Sequence, residues 1–256
     1  MTPPMIRVVE REARVFQKLW RGTVFSSFVT PVMFLAAIGL GVGGVVTDPT
    51  RRLGGTSYLV FVTPGLLAAS AMQNAAGNSL WPVMAGTKWV RTFHAMVSTP
   101  VAAPDVYGGF VVWNAIRSSF GIAAFLVVGA LLGGVPSAWG VLAIPAAVLC
   151  ATAFAAPLTA YAATRESDQA FPVIIRFGII PLFLFSGTFF PVRQLPPGLR
   201  RLAPLSPLWH GVELCRAATT GHVRAGSAAG HVLVLLAVVA AGAWWGTRTF
   251  SRRLAQ

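Results

Sequence analysis

Long apolar runs separated by short basic punctuation organise this chain. Between Arg21 and Asp48 lie 26 uncharged residues, and between Arg52 and Lys88 lie 35. About 20 apolar residues cross a bilayer, so runs of this length predict membrane spans. Taken in order, the pattern predicts six, at roughly 23–46, 57–80, 107–132, 138–163, 171–190 and 228–247. A polar turn with Asp48-Pro49 and Arg51-Arg52 joins the first two, and Gly133-Gly134-Val135-Pro136 joins the third and fourth. Before the first span, residues 5–20 place Met5, Val8, Val9, Glu12, Val15, Phe16 and Leu19 near one helical face, with Arg7, Arg11, Arg14 and Lys18 on the other. Apart from Glu12 this is a basic amphipathic helix, which is expected to lie flat at the membrane interface within residues 1–22.

The stretch from Pro181 to Arg216 departs from the span pattern. It ends an apolar helix at Ser186-Gly187 and then meets Pro191, Pro196, Pro197, Pro204 and Pro207. Too proline-rich for one spanning helix and too apolar for a loose loop, it predicts short helices at the membrane boundary with other helices packed around them.

Composition fits this picture. Hydrophobic residues make up 55% of the 256 and charged residues 11%, whereas a soluble domain carries about 25% charged. The formal net charge of +13 would suggest nucleic acid in a soluble protein. Here the basic residues flank the spans, where they set topology and meet anionic headgroups, so membrane lipids are the expected partner and nucleic acid is not. With six spans both termini share one side, which holds eleven Lys and Arg (Arg7, Arg11, Arg14, Lys18, Arg21, Lys88, Arg91, Arg165, Arg248, Arg252, Arg253) against seven on the other. The positive-inside rule therefore puts both termini in the cytoplasm, with Arg165-Glu166-Ser167-Asp168 as an inner loop. Two arginines fall within spans. Arg176 is near enough to a span end to snorkel, while Arg117 lies deeper and calls for a buried partner or a substrate headgroup.

Gly39-xxx-Gly43, Gly129-xxx-Gly133 and Gly242-xxx-Gly246 have the spacing of close helix contacts, read here as packing within the chain. There is no internal repeat, and residues 1–256 read as one domain. Two cysteines, Cys150 and Cys215, form no framework, and four scattered histidines with few acids offer no metal site. Gly86-Thr87-Lys88 lacks the order of a phosphate-binding loop, so the chain is not expected to hydrolyse ATP or to be an enzyme. A remote alternative is an intramembrane serine protease using Ser186 and His231, but Leu184 stands where such enzymes have glycine.

Ser186-Gly187, Phe189-Phe190-Pro191, Leu195-Pro196, Leu199, Leu202, Pro207, Glu213 and Arg216 together resemble the hallmark of type-2 ABC exporter permeases. Within that family the chain is similar to nodulation-factor and daunorubicin-type exporter permeases over essentially its whole length. The resemblance implies an all-α integral membrane protein with six transmembrane helices and an N-terminal amphipathic interface helix. It also implies a short broken re-entrant segment at 191–212, on the extracellular side between the fifth and sixth helices.

Such permeases pair as dimers, with a second copy of the chain or a close paralogue, on separate cytoplasmic ATPase subunits, which hold the ATP and Mg. The implied coupling loop is 82–106, with Lys88, Trp89, Arg91, Thr92, Phe93 and Met96 as contacts beside the interface-helix residues Arg7, Arg11, Arg14 and Lys18. Arg117, Phe183, Phe185, Phe189, Phe190, Trp209 and Glu213 are candidates for the pathway or its gate, with Arg216 the expected ionic partner of Glu213. The implied function is outward transport of an amphipathic lipid-linked saccharide, lipid or hydrophobic drug across a bacterial inner membrane. A membrane scaffold without transport is the alternative.

Overall fold

A computed structural model describes residues 3–37 and 57–255, with side chains left aside at 19, 23–28, 30 and 31. Every regular element among the described residues is helical. Helix α1 (Pro4–Ala36) comes first; α2 (Tyr58–Met84) runs into a π-turn at Ala85–Trp89, and the short α3 is Thr92–Val97. Next are α4 (Ala103–Leu131) and α5 (Ala143–Ala163), the latter entered through a 3-10 turn at Ala138–Leu142. The next apolar helix comprises α6 (Ala170–Ile174), a π-turn at Ile175–Ile179 and α7 (Ile180–Phe185). Last come α8 (Pro197–Leu202), α9 (Pro207–Thr220) and α10 (Ala225–Leu254).

Four of these are long and apolar enough to cross a membrane: Tyr58–Trp89, Ala103–Leu131, Ala138–Ala163 and Ala225–Leu254. The apolar stretch of α2 is 72% buried and that of α10 only 11%, which puts α2 at the centre and α10 on the rim. Leu66, Leu67, Met72, Phe125, Ala147, Ala151, Leu208 and Val212 join α2, α4, α5 and α9 in one core. Close approach depends on small residues. A side chain at Gly242 would meet the backbone of Pro157 at 2.7 Å, and the Tyr107 hydroxyl donates to the carbonyl oxygens of Gly242 and Ala156. Gly129 likewise lies against Thr63. These glycines therefore pack within the chain, as read from sequence, whereas Gly133 (φ 83°) forms the turn after α4. Gly39 and Gly43, the Asp48–Arg52 turn and positions 38–46 of the first expected span lie outside the described residues.

Three expectations change. First, no break separates an interface helix at 1–22 from the span that follows: α1 is continuous and lies along α4. Gly22 costs a helix interior only about 1 kcal/mol, and the apolar face of α1 finds protein to cover it. Met5 and Val8 pack against Gly108 and Gly109, and Phe16 against Trp113 and Phe120. Second, the helix expected at 171–190 ends at Phe185, because Gly187 adopts the left-handed conformation (φ 82°). Its 16 residues, Ala170–Phe185, extend about 24 Å at 1.5 Å each, short of a bilayer core of about 30 Å. Third, the second short helix of the proline-rich stretch continues past 212 to Thr220 and stops at Gly221 (φ 77°).

The described ends of the chain share one end of the bundle, with the 85–102 and 164–169 turns. Glu166 bridges Lys88 and Arg253 there. The opposite end gathers the start of α2, the 133–142 turn and residues 186–224. Ser137 donates to the Thr219 carbonyl at 3.2 Å, and Gly65 lies against the backbone of Thr188.

Candidate functional site

At the terminal end, α3 is set by a sharp reversal. Arg91 is the one non-glycine residue with positive φ among those described (φ 57°, ψ 29°), a conformation that costs an L-residue about 1–2 kcal/mol. Phe93 then turns inward, 2% exposed, with ring centroids 5.6 Å from Phe110 and 5.7 Å from Phe250. Any side chain at Gly86 would collide with its ring at 2.6 Å, so the π-turn passes directly over Phe93. Phe93 is thus an anchor for α3 rather than a contact surface, which corrects its expected role.

The other expected residues divide. Trp89 and Val90 project, 58% and 67% exposed, beside exposed Arg91. Thr92 and Met96 face α1, where with Arg7, Val8, Arg11, Thr99 and Val101 they line a cleft of about 480 Å³. Arg14 and Lys18 line a neighbouring cleft of about 420 Å³ with Arg7, Arg11 and Glu10. Lys88 is turned aside by its ion pair with Glu166. The hydrogen bonds from Arg253 and then Lys88 hold the Glu166 carboxyl down at about 2. Burial, reinforced by the positive charges of Arg91 and Arg253, pushes His94 below its usual value, so its imidazole is neutral at neutral pH.

Arg117 lies on the face of α4 that meets α1, its guanidinium 5.8 Å from the Phe16 ring centroid and within electrostatic reach of Glu12. Glu12, the acid on an otherwise apolar face, pairs with Arg11. Arg117 serves the α1–α4 contact, well away from the proline-rich stretch.

At the opposite end, the Ser186-Gly187 turn is held from two sides. The Ser186 and Ser206 hydroxyls are 2.9 Å apart, and Arg216 donates to the Gly187 carbonyl at 2.7 Å. Arg216 also pairs with Glu213 at 2.8 Å and lies 4.2 Å from the Phe61 ring centroid. One guanidinium thus joins α2, the Gly187 turn and α9, which accounts for the ionic partner expected of Glu213. Phe183 and Phe189 stack edge to face at 4.9 Å, and Tyr58 donates to the Phe189 carbonyl. Phe185 is exposed and Phe190 half-buried. Trp209 and Glu213 line a cleft of about 470 Å³ with Phe61, Arg193, Arg216 and His222.

Sequence reasoning missed two constellations here. His210 and His231, treated as scattered, are hydrogen-bonded Nδ1 to Nδ1 at 2.7 Å. Glu166, an ordinary loop acid in sequence, joins three segments. Neither carries a local signal, because the partners are far apart in the chain. Ser186 meets Ser206 and His231 meets His210, so the protease pairing does not form. No cluster of three metal-binding side chains occurs among the described residues.

Comparison with known proteins agrees with this architecture. Residues 7–219 match the family described as ABC-2 type transporter. Nodulation protein J of Neorhizobium galegae is 29% identical over 219 residues, covering 85% of this chain and 81% of that protein. Nodulation protein J of Rhizobium leguminosarum bv. trifolii is 30% identical over 217 residues, covering 85% and 81%. The inner membrane transport permease YadH of Escherichia coli K12 is 25% identical over 201 residues, covering 77% and 75%. A bundle of apolar helices with this proline-broken end, matched over most of its length, places the chain in the ABC-2 type transporter family of multi-pass membrane permeases.

Proposed function

We propose that this chain is the membrane subunit of an ABC exporter, coupled through its α1–α3 end to a separate ATPase that supplies the work. The observation that carries this reading is the arrangement of that end: a basic cleft between α1 and α3, with Trp89, Val90 and Arg91 projecting beside it. An exposed tryptophan beside an arginine is a composition enriched at protein–protein contacts. The buried Phe93 makes α3 a rigid lever into the core, where Phe110 and Phe250 receive it. In this reading that end is cytoplasmic, and ATP and Mg bind to the partner.

A second copy of the chain covers the face of α6–α7 that carries Val173, Arg176, Phe177 and Ile180. All four are exposed in the single chain, and a partner on this face would spare Arg176 from having to snorkel to the headgroups. The substrate is amphipathic, of the lipid-linked saccharide, lipid or hydrophobic drug class, and the Pro191–Thr220 segment caps the outer end of its path. The names of the relatives support permease function; YadH is called an inner membrane transport permease.

The test is reconstitution with ABC-type ATPase subunits from the same genome, measuring turnover with and without the chain. Trp89→Glu and Arg91→Glu are expected to lower stimulated turnover about tenfold, the effect of losing roughly 1.4 kcal/mol at a contact. Phe93 is left intact, since its truncation would cost about 3–5 kcal/mol of core packing. Failure of any ATPase to bind would overturn the exporter reading in favour of a membrane scaffold.

A further inference from the structure

We propose that His210 and His231 form a proton-operated latch, closed while at most one imidazole is charged and released when both are. The bond geometry carries the inference. His210 is buried, and its Nε2 lies 2.9 Å from the Pro204 carbonyl oxygen, which can only accept, so that nitrogen must carry a hydrogen. Its Nδ1 lies 2.7 Å from Nδ1 of His231, and a hydrogen bond there needs one lone pair. In the neutral pair His210 is the acceptor and His231 the donor. With one proton added the bond persists, and either ring can hold the charge. With two added, both Nδ1 atoms carry hydrogens and two like charges face each other across 2.7 Å, so the contact cannot survive.

The surroundings decide what is released. His210 is on α9 and His231 on α10, while Pro204 belongs to the turn that leads into α9. The Trp209 ring lies edge to face against both imidazoles, with centroids at 4.9 and 5.0 Å, and supports them as a unit. The charged and titratable groups around the pair are few. From α9 come Glu213 and Arg216, which share a cleft of about 370 Å³ with His231. His222 and Arg224 line the same cleft from the turn and the start of α10. Arg200 and Arg201 are exposed on α8. Toward the core, α2 presents Phe61 to Arg216, and α5 presents the thiol of Cys150 to Gly211. Glu213 is the one acid in this group, and it is already paired with Arg216. Among the described residues no second carboxylate lines this cleft, so Glu213, shared with Arg216, is the one acid there that acts on the charged His231. Acidification therefore opens the contact between the turn that leads into α9 and the start of α10, at the end of the bundle opposite the termini, while Leu214 stays packed on Leu235. This inference rests on the fold alone and stands apart from the ATPase reading.

The experiment is hydrogen exchange on the full chain in lipid nanodiscs between about pH 8 and about pH 5, the range in which imidazole changes charge. Protection of amides 205–212, corrected for intrinsic exchange, is expected to fall roughly tenfold for each pH unit over which the open form takes up one more proton than the closed form. Protection of the α2 amides should stay flat. His231→Asn keeps a donor near the Nδ1 position and removes the titrating ring, so its protection at 205–212 should not vary with pH. Imidazole nitrogen shifts of the unmodified chain provide the second reading: two successive proton uptakes, the later one coinciding with the loss of protection. Flat protection in the unmodified chain, or independent titration of the two rings, would overturn the latch.

Discussion

Arg216 shows how much one side chain holds. Its side chain is 18% exposed; its two terminal nitrogens donate to Glu213 and the Gly187 carbonyl, its buried Nε finds no partner, and its flat face lies on Phe61. Arg216→Met should lose about 2–4 kcal/mol, because it strands a carboxylate and a backbone carbonyl together. Thermal unfolding in detergent measures this, and Glu213→Gln added to the same variant should restore part of the loss. A variant as stable as the parent would show that water replaces the guanidinium. Sequence suggested the Glu213–Arg216 pair, since the two are three residues apart on a helix. The third contact, to Gly187, was not legible, because 29 residues intervene.

Among the elements, Glu166 ties three segments together at the terminal end of the bundle. This acid on the short turn between α5 and α6 pairs with Lys88 at the end of α2 and Arg253 at the end of α10. Its carboxyl is held down at about 2, so its contribution is present above the ordinary carboxylate range and is lost as pH falls through about 2. Glu166→Gln should therefore loosen the C-terminal turn of α10 at neutral pH, seen as several-fold faster amide exchange at 248–254. The parent should hold from about pH 8 to about pH 5. An unchanged rate in the variant would mean that Phe250 and Leu254, both buried, hold α10 without the ion pairs. The helix α1 carries the same lesson. Its basic and apolar faces were legible from the 3.6 period, but the period alone does not say whether lipid or protein covers the apolar face. Gly108 and Gly109 on α4 provide the close approach that settles it.

At the scale of the bundle, four helices among the described residues satisfy length and apolarity, and Ala170–Phe185 is shorter. The shorter helix also carries the exposed Arg176 and Phe177, which the proposed second copy would cover. A Phe177→Cys chain in native membranes should then form an oxidative cross-link of doubled mass. The background is low, because Cys150 and Cys215 are both buried. Leu233→Cys, exposed on α10, serves as the control. Cross-linking at 233 but not at 177 would move the dimer face to α10.

The sequence by itself determined that this chain lives in a membrane, roughly where four of its spanning helices lie, and that residues 186–216 break the pattern. These features follow from run length, charge spacing, proline and glycine, all of which act locally. Tertiary structure decided the rest. It turned Phe93 inward, set Arg117 against Phe16, joined Glu166 to two distant cations and brought His210 onto His231. Each of these depends on which helices become neighbours. That choice is made by small-residue contacts and packed volume across the bundle, which no local period along the chain encodes.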